Sequence, residues 1–558
     1  MLKLLKSIHR LRGKNSSDAL DVAAAQPEMS QRRFLSNLLR KNANSIFGKQ
    51  HNFSAIHDET DFRRNVPVRD YEDFRPFINK IIAGEKSVLT RENPFMFTMT
   101  SGTTGEPKYI PVTRESQKSN SALMTQWLYR AELDHKGLTA KASVGIVSRA
   151  TEGFTSGGLP YGSVSGLIYQ NIPWFIRRAY AVPYSVSEIE DYDARYFALA
   201  RFALASDVSF IATPNPGTLL RFAQVCVDNQ EKLVRCINDG TSGFEGCGQS
   251  KIHDELSRKL RPNPIRAKFL ANAIAKNGCL RLTDCWENLK LIGCWLGGSG
   301  EAQAKKLNAH FGAIPHRDLG FLASEGHFTV PISDQTATGI LAVNNAYYEF
   351  TAESESESKQ PTILTASELK INERYNILLT TSAGLYRYKI GDIVEVTGFH
   401  RRTPLIAFVR KAGEMTNIIG EKMHANHITL AFEQICRQFD LKIEQFCAVP
   451  NHDFSRYDIY IELQKDYPVN KLRDEVSPET DRALMRVNIE YEQKRKSKRL
   501  AAPHLFLMKS GWAKEELRRH IAAGKRDTQY KRVILRPEFQ TRDAAFIVPI
   551  VESTVVCS

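Results

Sequence analysis

The sequence has no run of apolar residues that approaches the length of about eighteen needed for a membrane-spanning helix. Its nine cysteines are odd in number, scattered, and contain no CxxC pair, which argues against a disulfide framework and a thiolate zinc site. The opening MLKLLKSIHRLRGK lacks the unbroken apolar core and cleavage site of a signal peptide, and its Leu4, Ile8 and Leu11 predict a docking helix instead. We therefore expect a cytoplasmic protein with reduced, mostly buried thiols and no membrane span.

The composition is that of a globular protein, with 42% hydrophobic and 25% charged residues in 558 positions. The formal net charge of +14 is concentrated near the C-terminus, where the segment 482–532 has fifteen Lys or Arg and five Asp or Glu. Such a segment could bind nucleic acid, an anionic surface or phosphates. Because no aromatic residues interleave with the run from Lys494 to Arg499, a solvated helix face is the favoured interpretation.

Helical and strand patterns alternate along most of the chain, which favours an α/β fold. Residues 30–79 have helical periodicity, with turns predicted at Pro67 and Pro76. The acidic run ESESESK at Glu353 to Lys359 predicts an exposed loop between strands. Further strands are predicted at Phe210 to Thr213, Leu289 to Gly293, His316 to Phe321, Tyr375 to Phe399, and near Phe446 and Ile459.

The length exceeds what one hydrophobic core usually supports, so more than one domain is expected. A junction is predicted around Phe408 to Gly413. We assign residues 1–410 to a large N-terminal domain and residues 411–558 to a smaller α+β domain.

The string TMTSGTTGEPKYIP at Thr98 to Pro111 predicts a strand, a phosphate-binding loop and a second strand. Glycines and small hydroxyl residues allow the backbone to approach an anion closely, and Lys108 adds a positive charge. The loop is not of the Walker type, because Lys108 precedes a strand and not a helix. The predicted phosphate-binding residues are Thr100, Ser101, Gly102, Thr103, Thr104 and Gly105.

The string TSGTTGEPK resembles the pyrophosphate-handling loop of the acyl-adenylating superfamily. Three other segments, PVRDYEDFRPFINKIIAGE, GLYRYKIGDIVEVTGF and GKRDTQYKR, together resemble the auxin-responsive-promoter (GH3-type) family of acyl acid amido synthetases. The similarity spans roughly residues 30–535. It implies a large, multi-lobed N-terminal adenylate-forming domain with mixed sheets and helices, followed by a smaller mobile α+β C-terminal domain.

The string HRDLGFLASEGHF at His316 to Phe328 is predicted to contact the nucleotide and its metal. A carboxylate after a strand, here Glu325, could bind a Mg²⁺ ion that bridges phosphates, although a plain surface carboxylate is the alternative. The resemblance supports the metal role of Glu325 and implies that Phe321, Ala323 and Ser324 line the nucleotide. The family usually has tyrosine at position 321, so ring stacking is expected there without a hydroxyl contact.

Asp392 is predicted to bind the ribose of ATP. We expect it in a tight Gly391-Asp392 turn between two strands, where its carboxylate can accept hydrogen bonds from two vicinal hydroxyls. The alternative is an Asx turn that satisfies its own backbone. The resemblance matches Asp392 to the ribose-binding aspartate of the family.

Two cations at the predicted junction, Arg410 and Lys422, match cationic positions of the family. A cation delivered by domain closure would stabilise charge on the α-phosphate, although a solvated lysine is the alternative for Lys422. A weaker signal is Gly297, Gly298 and Ser299, which could flank the adenine or the acyl group or form a helix cap.

Together these features predict a ligase that uses ATP and Mg²⁺ to adenylate a carboxylic acid and transfers the acyl group to an amine, such as that of an amino acid. An acyl-CoA ligase and a nucleotide- or RNA-binding protein are the alternatives. The first would typically end with a proline-rich turn that leads to a glycine-lysine pair, a combination that is absent here, and the second leaves Glu325 and Asp392 unexplained. No nucleic-acid partner is expected, and the acyl pocket is predicted at Ser119 to Tyr129 and Gly157 to Gly166.

Overall fold

The chain divides into two compact units, Met1–Val409 and Arg410–Ser558. A computed structural model describes residues 2–100, 108–244, 249–356, 358, 360–412, 415–416, 418, 421, 423–496, 500–523 and 530–548. Within these ranges, none of the helices combines the length and the apolar character that crossing a membrane requires. The seven cysteines described carry free thiols, and five of them are buried.

The first unit combines helices and strands along its whole length, which confirms the predicted α/β class. Its helices are α1 (Leu2–Ala25), α2 (Pro27–Asn42), α3 (Ile46–Gln50), α4 (Glu59–Asn65), α5 (Tyr71–Ile82), α6 (Arg114–Asp134), α7 (Val164–Asn171), α8 (Trp174–Arg177), α9 (Tyr192–Leu204), α10 (Pro216–Asp228), α11 (Gln230–Asp239), α12 (Ser250–Ser257), α13 (Pro264–Asn277), α14 (Glu301–Lys306) and α15 (Asn308–Phe311). Its strands are β1 (Met96–Thr100), β2 (Lys108–Val112), β3 (Ala142–Gly145), β4 (Gly153–Phe154), β5 (Pro160–Gly162), β6 (Val208–Ala212), β7 (Leu291–Gly293), β8 (His316–Arg317), β9 (Leu322–Ala323), β10 (Gly326–His327), β11 (Thr329–Pro331), β12 (Thr338–Leu341), β13 (Ala346–Ala352), β14 (Arg374–Thr381), β15 (Tyr388–His400) and β16 (Thr403–Lys411), whose last two residues belong to the second unit.

Three sheets organise the first unit. One is parallel throughout and has the order β3-β6-β7-β8. Helices α9 to α13 contribute most of the other residues of the hydrophobic core that this sheet belongs to. A six-stranded sheet has the order β11-β12-β16-β15-β14-β13 and packs against α2 and α5. A third has the order β2-β1-β5-β4, and β9 and β10 form a separate two-stranded hairpin. The acidic run after β13 joins that strand to β14 and is mostly exposed where it is described, as predicted.

Helix α5 contains Pro76, so the turn predicted at this residue is wrong. A proline early in a helix removes one hydrogen bond, here to the carbonyl of Glu72 in the first turn. The Asp70 side chain caps the helix and forms a capping box with Asp73, which satisfies N–H groups at the same end. The apolar face adds burial that offsets the lost bond; it consists of Tyr71, Phe74, Phe77, Ile78 and Ile81.

Helix α1 packs against α6 through its C-terminal half. Leu20 and Ala24 are fully buried in a cluster with Trp127, and Ser16 accepts a hydrogen bond of 2.8 Å from Gln126. Leu11, which the sequence places on the docking face, is instead 57% exposed. Leu11 is therefore not part of the docking contact, which includes Ser16, Leu20 and Ala24 farther along the helix.

The second unit is an α+β arrangement with its own core. Strand β19 (Ile443–Asn451) pairs antiparallel with β20 (Arg456–Leu463), which pairs parallel with β21 (His504–Met508), so the strands predicted near Phe446 and Ile459 are confirmed. Helices α16 (Ala425–Phe439) and α18 (Ser477–Val487) contribute to the core against this sheet. The elements are β17 (Met415–Thr416), β18 (Met423–His424), α16 (Ala425–Phe439), β19 (Ile443–Asn451), β20 (Arg456–Leu463), α17 (Val469–Lys471), α18 (Ser477–Val487), α19 (Ile489–Lys496), β21 (His504–Met508) and α20 (Trp512–Ala522).

Candidate active site

The predicted strand, loop and second strand are present as the antiparallel pair β1 and β2. The register runs from Met96 opposite Val112 to Thr100 opposite Lys108, so the two ends of the intervening loop are adjacent. The predicted loop residues Ser101, Gly102, Thr103, Thr104 and Gly105 lie outside the described residues, as does the side chain of Thr100. The hairpin therefore fixes where the loop begins and ends.

Lys108 lies at the start of β2, beside helix α5. Its Nζ atom is 5.4 Å from the centre of the Tyr71 ring, within the range of a cation–π contact. The Tyr71 hydroxyl accepts a hydrogen bond of 2.6 Å from the backbone N–H of Tyr109. Helix α5 thus supports the strand that carries Lys108.

Ser324 and Glu325 form the turn between β9 and β10, in which Ala323 pairs with Gly326. This turn contacts two other elements of the first unit. The buried hydroxyl of Thr98 in β1 donates a hydrogen bond of 3.2 Å to the carbonyl of Ser324. The Asn120 side chain in α6 accepts one of 3.2 Å from the N–H of His327. The candidate metal residue is therefore held close to the strand that leads into the phosphate loop.

Phe321 is 7% exposed and packs against two other aromatic rings. Its ring centre is 5.3 Å from that of Phe328 and 6.0 Å from that of Phe408, with the Phe408 ring nearly parallel. Gly298 has a φ of +58°, and a Cβ atom there would lie 2.7 Å from the Phe408 ring. The glycines before α14 thus allow close packing against Phe408, and the Ser299 side chain lies outside what is described.

Asp392 is 3% exposed and lies within β15, so the predicted turn between two strands is wrong. Lys389 pairs with Leu378 and Ile393 with Asn376, which leaves Ile390, Gly391 and Asp392 opposite one residue of β14. This is a β-bulge, and the φ of +75° at Gly391 supplies the left-handed conformation that such irregularities often need. A glycine at this point of the sequence is compatible with either a bulge or a turn. The pairing of β15 with β14 on both sides of Gly391 shows that it forms a bulge.

Tyr388, at the start of β15, brings the two candidate carboxylates together. The Glu325 and Asp392 side chains both lie close enough to the Tyr388 hydroxyl to raise its pKa. Burial first, and then the charge of Glu325, raises the pKa of Tyr388 well above its ordinary value. This tyrosine was not predicted as a site residue, although it stands in the same YRYKIGD string as Asp392.

Asp318, which follows β8 in the parallel sheet, is a second residue of this region that was not predicted from the sequence. Its carboxyl oxygens accept hydrogen bonds of 2.6 Å from the N–H groups of Leu296 and Gly320. Burial raises the pKa of Asp318 to about 7, against the lowering effect of these two bonds. Its carbonyl accepts a bond of 2.7 Å from the ring N–H of Trp127 in α6. Asp318 therefore ties together the loops that follow two neighbouring strands.

Arg410 is the first residue of the second unit and lies near the end of β16. It is 9% exposed and donates a hydrogen bond of 3.2 Å to the carbonyl of Lys411. Lys422 lies outside the described residues. Its neighbour Glu421 is fully buried and accepts a bond of 2.6 Å from the Tyr457 hydroxyl.

Family models match three successive parts of the chain. Residues 17–316 match the GH3 family N-terminal domain, residues 339–411 the GH3 family central domain and residues 426–537 the GH3 family C-terminal domain. The first match alone covers more than half of the sequence.

Full-length relatives and a solved structure are similar to the chain. Indole-3-acetic acid-amido synthetase GH3.4 of Arabidopsis thaliana is 24% identical over 545 residues, which cover 92% of this chain and 90% of the relative. Jasmonoyl–L-amino acid synthetase JAR4 of Nicotiana attenuata is 24% identical over 525 residues, with 90% of each chain covered. The structure of GH3.15 acyl acid amido synthetase superposes with a TM-score of 0.83 at 21% identity over 96% of both chains, a likeness of fold.

Proposed function

The chain belongs to the GH3 family, as the resemblance of its motifs indicated, and on this premise we propose that it is an ATP-dependent acyl acid amido synthetase. The observation that carries the proposal is the hydrogen bond from Thr98 to the turn that carries Glu325, which holds that turn beside the hairpin that frames the phosphate loop. The effect of both Glu325 and Asp392 on the pKa of Tyr388 supports it, because it means that the two carboxylates lie near one another. One nucleotide bound there would meet its phosphate-binding and ribose-binding residues together. The relatives named for amide formation with indole-3-acetic acid and with jasmonate support the choice of reaction.

In the first half-reaction, a carboxylate oxygen of the acid attacks the α-phosphorus of ATP, and the bond to pyrophosphate breaks. The loop residues from Thr100 to Gly105, together with Lys108, would hold the departing pyrophosphate through backbone N–H groups, hydroxyls and one positive charge. Asp392 would accept hydrogen bonds from the ribose hydroxyls, and Phe321, Ala323 and Ser324 would line the nucleotide. Positioning and charge neutralisation suffice for this step, so no side-chain nucleophile is assigned.

Glu325 is the residue that we assign to hold Mg²⁺, which would neutralise phosphate charge when bound with the nucleotide. Magnesium is commonly held by one or two carboxylates together with substrate phosphates, not by a cage of protein ligands. In the described part of the chain, His, Cys, Asp and Glu form no cluster of three or more suited to a metal. Glu325 would supply the one carboxylate that such a shared site needs.

In the second half-reaction, the nitrogen of an amine attacks the acyl carbonyl, the amide bond forms and AMP leaves. We propose an amino acid as the acceptor, in keeping with the names of the relatives. The proposal assigns adenylation to residues 1–410 and a mobile role to residues 411–558, with Arg410 and Lys422 as the cations that act on the α-phosphate. The protein is expected to act in the cytoplasm.

The test is carboxylate-dependent exchange of pyrophosphate into ATP, followed by product analysis with amino acids or CoA as acceptors. Lys108→Ala should sharply reduce the exchange rate, and Asp392→Ala should raise the KM for ATP. Matched controls are Lys49→Ala, at an exposed position in α3, and Glu395→Gln, which changes another carboxylate of β15. Wild-type exchange in Lys108→Ala would remove that residue from the mechanism. A thioester product in place of an amide would favour the acyl-CoA ligase.

A further inference from the structure

The segment PVRDYEDFRPFINKIIAGE, at residues 67–85, carries part of the family resemblance but contributes no residue to the proposed reaction. It contains helix α5, whose first residue is Tyr71. The Tyr71 hydroxyl accepts a hydrogen bond of 2.6 Å from the N–H of Tyr109 and donates one of 3.3 Å to the carbonyl of the same residue. Burial raises the pKa of Tyr71, so this hydroxyl keeps its proton and can donate. The two bonds hold the helix against β2 at the residue that follows Lys108.

The ring of Tyr71 has a fixed place beside Lys108. Tyr71 is 2% exposed and belongs to the core that α5 shares with the six-stranded sheet. The Lys108 Nζ atom is 5.4 Å from the ring centre, within the range of about 6 Å for a cation–π contact. The Arg75 guanidinium lies over the same ring at 5.0 Å and is paired with Glu72 through bonds of 2.6 and 2.8 Å. The contact with Lys108 links the ring to the hairpin that frames the phosphate loop.

The Lys108 ammonium needs a contact of its own to have a fixed position. It stands at the end of a flexible four-carbon stem, so the backbone of β2 alone does not determine where the charge lies. Lys108 pairs with Thr100, the residue at which the predicted phosphate loop begins. A carboxylate partner would hold the ammonium but also neutralise it, whereas the face of an aromatic ring attracts a cation and leaves its positive charge uncompensated. A ring can therefore position this cation and keep it able to bind an anion.

We propose that the Tyr71 ring is a positioning group that holds the Lys108 ammonium where it binds the departing pyrophosphate. This inference rests on the role of Lys108 in the proposed function. The hydroxyl fixes the ring against β2, and the ring acts on the charge. Tyr71 thus acts through Lys108, and the segment at residues 67–85 contributes in this way to the handling of pyrophosphate.

The experiment compares Tyr71→Leu with Tyr71→Phe in the full-length protein. Both variants lose the two bonds to Tyr109, whereas Tyr71→Phe keeps an aromatic face beside Lys108. Carboxylate-dependent exchange is measured over a range of pyrophosphate concentrations, which gives the KM for pyrophosphate. Tyr71→Leu should raise this KM by about two- to fivefold, the effect of losing one cation–π contact. Tyr71→Phe should keep the wild-type KM, although both variants should melt at lower temperatures.

Phe77→Leu is the matched control for packing lost from the same helix. Phe77 belongs to the buried face of α5, and its ring meets the Phe47 ring edge to face at 5.1 Å. This variant should lower the melting temperature and leave the KM for pyrophosphate unchanged. Equal increases of the KM in Tyr71→Leu and Phe77→Leu would trace the effect to packing, and equal increases in Tyr71→Leu and Tyr71→Phe would trace it to the hydroxyl. Either result would overturn the role of the ring.

Lys108→Ala separates the inference from its premise. It should itself raise the KM for pyrophosphate, and adding Tyr71→Leu to it should raise the KM no further, because the ring acts through the ammonium. If Lys108→Ala raises the KM and Tyr71→Leu does not, the positioning role is refuted and the proposed function stands. If Lys108→Ala keeps the wild-type KM, the role of Lys108 fails and the inference fails with it. A wild-type protein without carboxylate-dependent exchange would contradict the proposed function itself, and with it the inference.

Discussion

Replacing Thr98 with valine tests whether the strand before the phosphate loop positions the turn that carries Glu325. Thr98 is fully buried, and its hydroxyl donates 3.2 Å to the carbonyl of Ser324 and lies 3.5 Å from that of Ile110. Valine keeps the branched shape that suits a strand and removes only the donor. Withdrawing a partner from a buried polar group costs about 1–3 kcal/mol. If about 1 kcal/mol of this falls on nucleotide binding, the KM for ATP rises about fivefold.

The assay is pyrophosphate exchange over a range of ATP concentrations, together with the melting temperature. Thr403→Val is the matched control, because Thr403 is equally buried and its hydroxyl donates 3.1 Å to the carbonyl of Ala24, outside the candidate site. Both variants should melt at lower temperatures, and Thr98→Val alone should show a raised KM for ATP. An unchanged KM in Thr98→Val, with a similar loss of thermal stability, would refute the positioning role of this hydroxyl.

Two other substitutions test the packing and the protonation of the first unit. Gly298→Ala should lower the melting temperature, because a φ of +58° disfavours alanine by about 1–2 kcal/mol and the new methyl group meets the Phe408 ring. Gly278→Ala is the control that measures the backbone effect alone, because Gly278 has a positive φ and open space around it. If the two variants lose the same thermal stability, contact with the Phe408 ring contributes nothing. For Asp318, a folded-state pKa raised from 3.8 to about 7 means that its stabilising contribution is complete below pH 4 and is lost as pH rises through 7, up to about 4 kcal/mol. The stability advantage of the wild type over Asp318→Asn should therefore shrink between about pH 4 and pH 7 in thermal melts, and a constant difference would show that Asp318 does not titrate there.

Local patterns predicted much of the fold and part of the site. The strands on both sides of the glycine-threonine loop have β-branched and aromatic residues, and the register of β1 and β2 confirms them. The bulge at Asp392 was not predictable in the same way, because it depends on where β14 pairs with residues on either side of Gly391. Tyr388 was missed for a similar reason. A buried tyrosine usually contributes to a core, and only the approach of Glu325, some sixty residues earlier in the chain, distinguishes it.

The basic C-terminal segment shows why charge summed over a window of sequence overstates free positive charge. Several of its arginines are paired with carboxylates that lie outside the window 482–532. Arg482 and Arg486 share Glu479, and the other pairs are Arg495 with Asp481, Arg532 with Glu444 and Arg519 with Asp543. Asp481 also accepts a hydrogen bond from the buried Tyr491, so the Arg495 pair is part of the packing of the second unit. Because exposed ion pairs add little stability, these arginines matter mainly where they join elements. The count of fifteen Lys or Arg against five Asp or Glu therefore describes only the composition of the segment. The electrostatic potential around it also depends on carboxylates from other parts of the chain that folding places beside it.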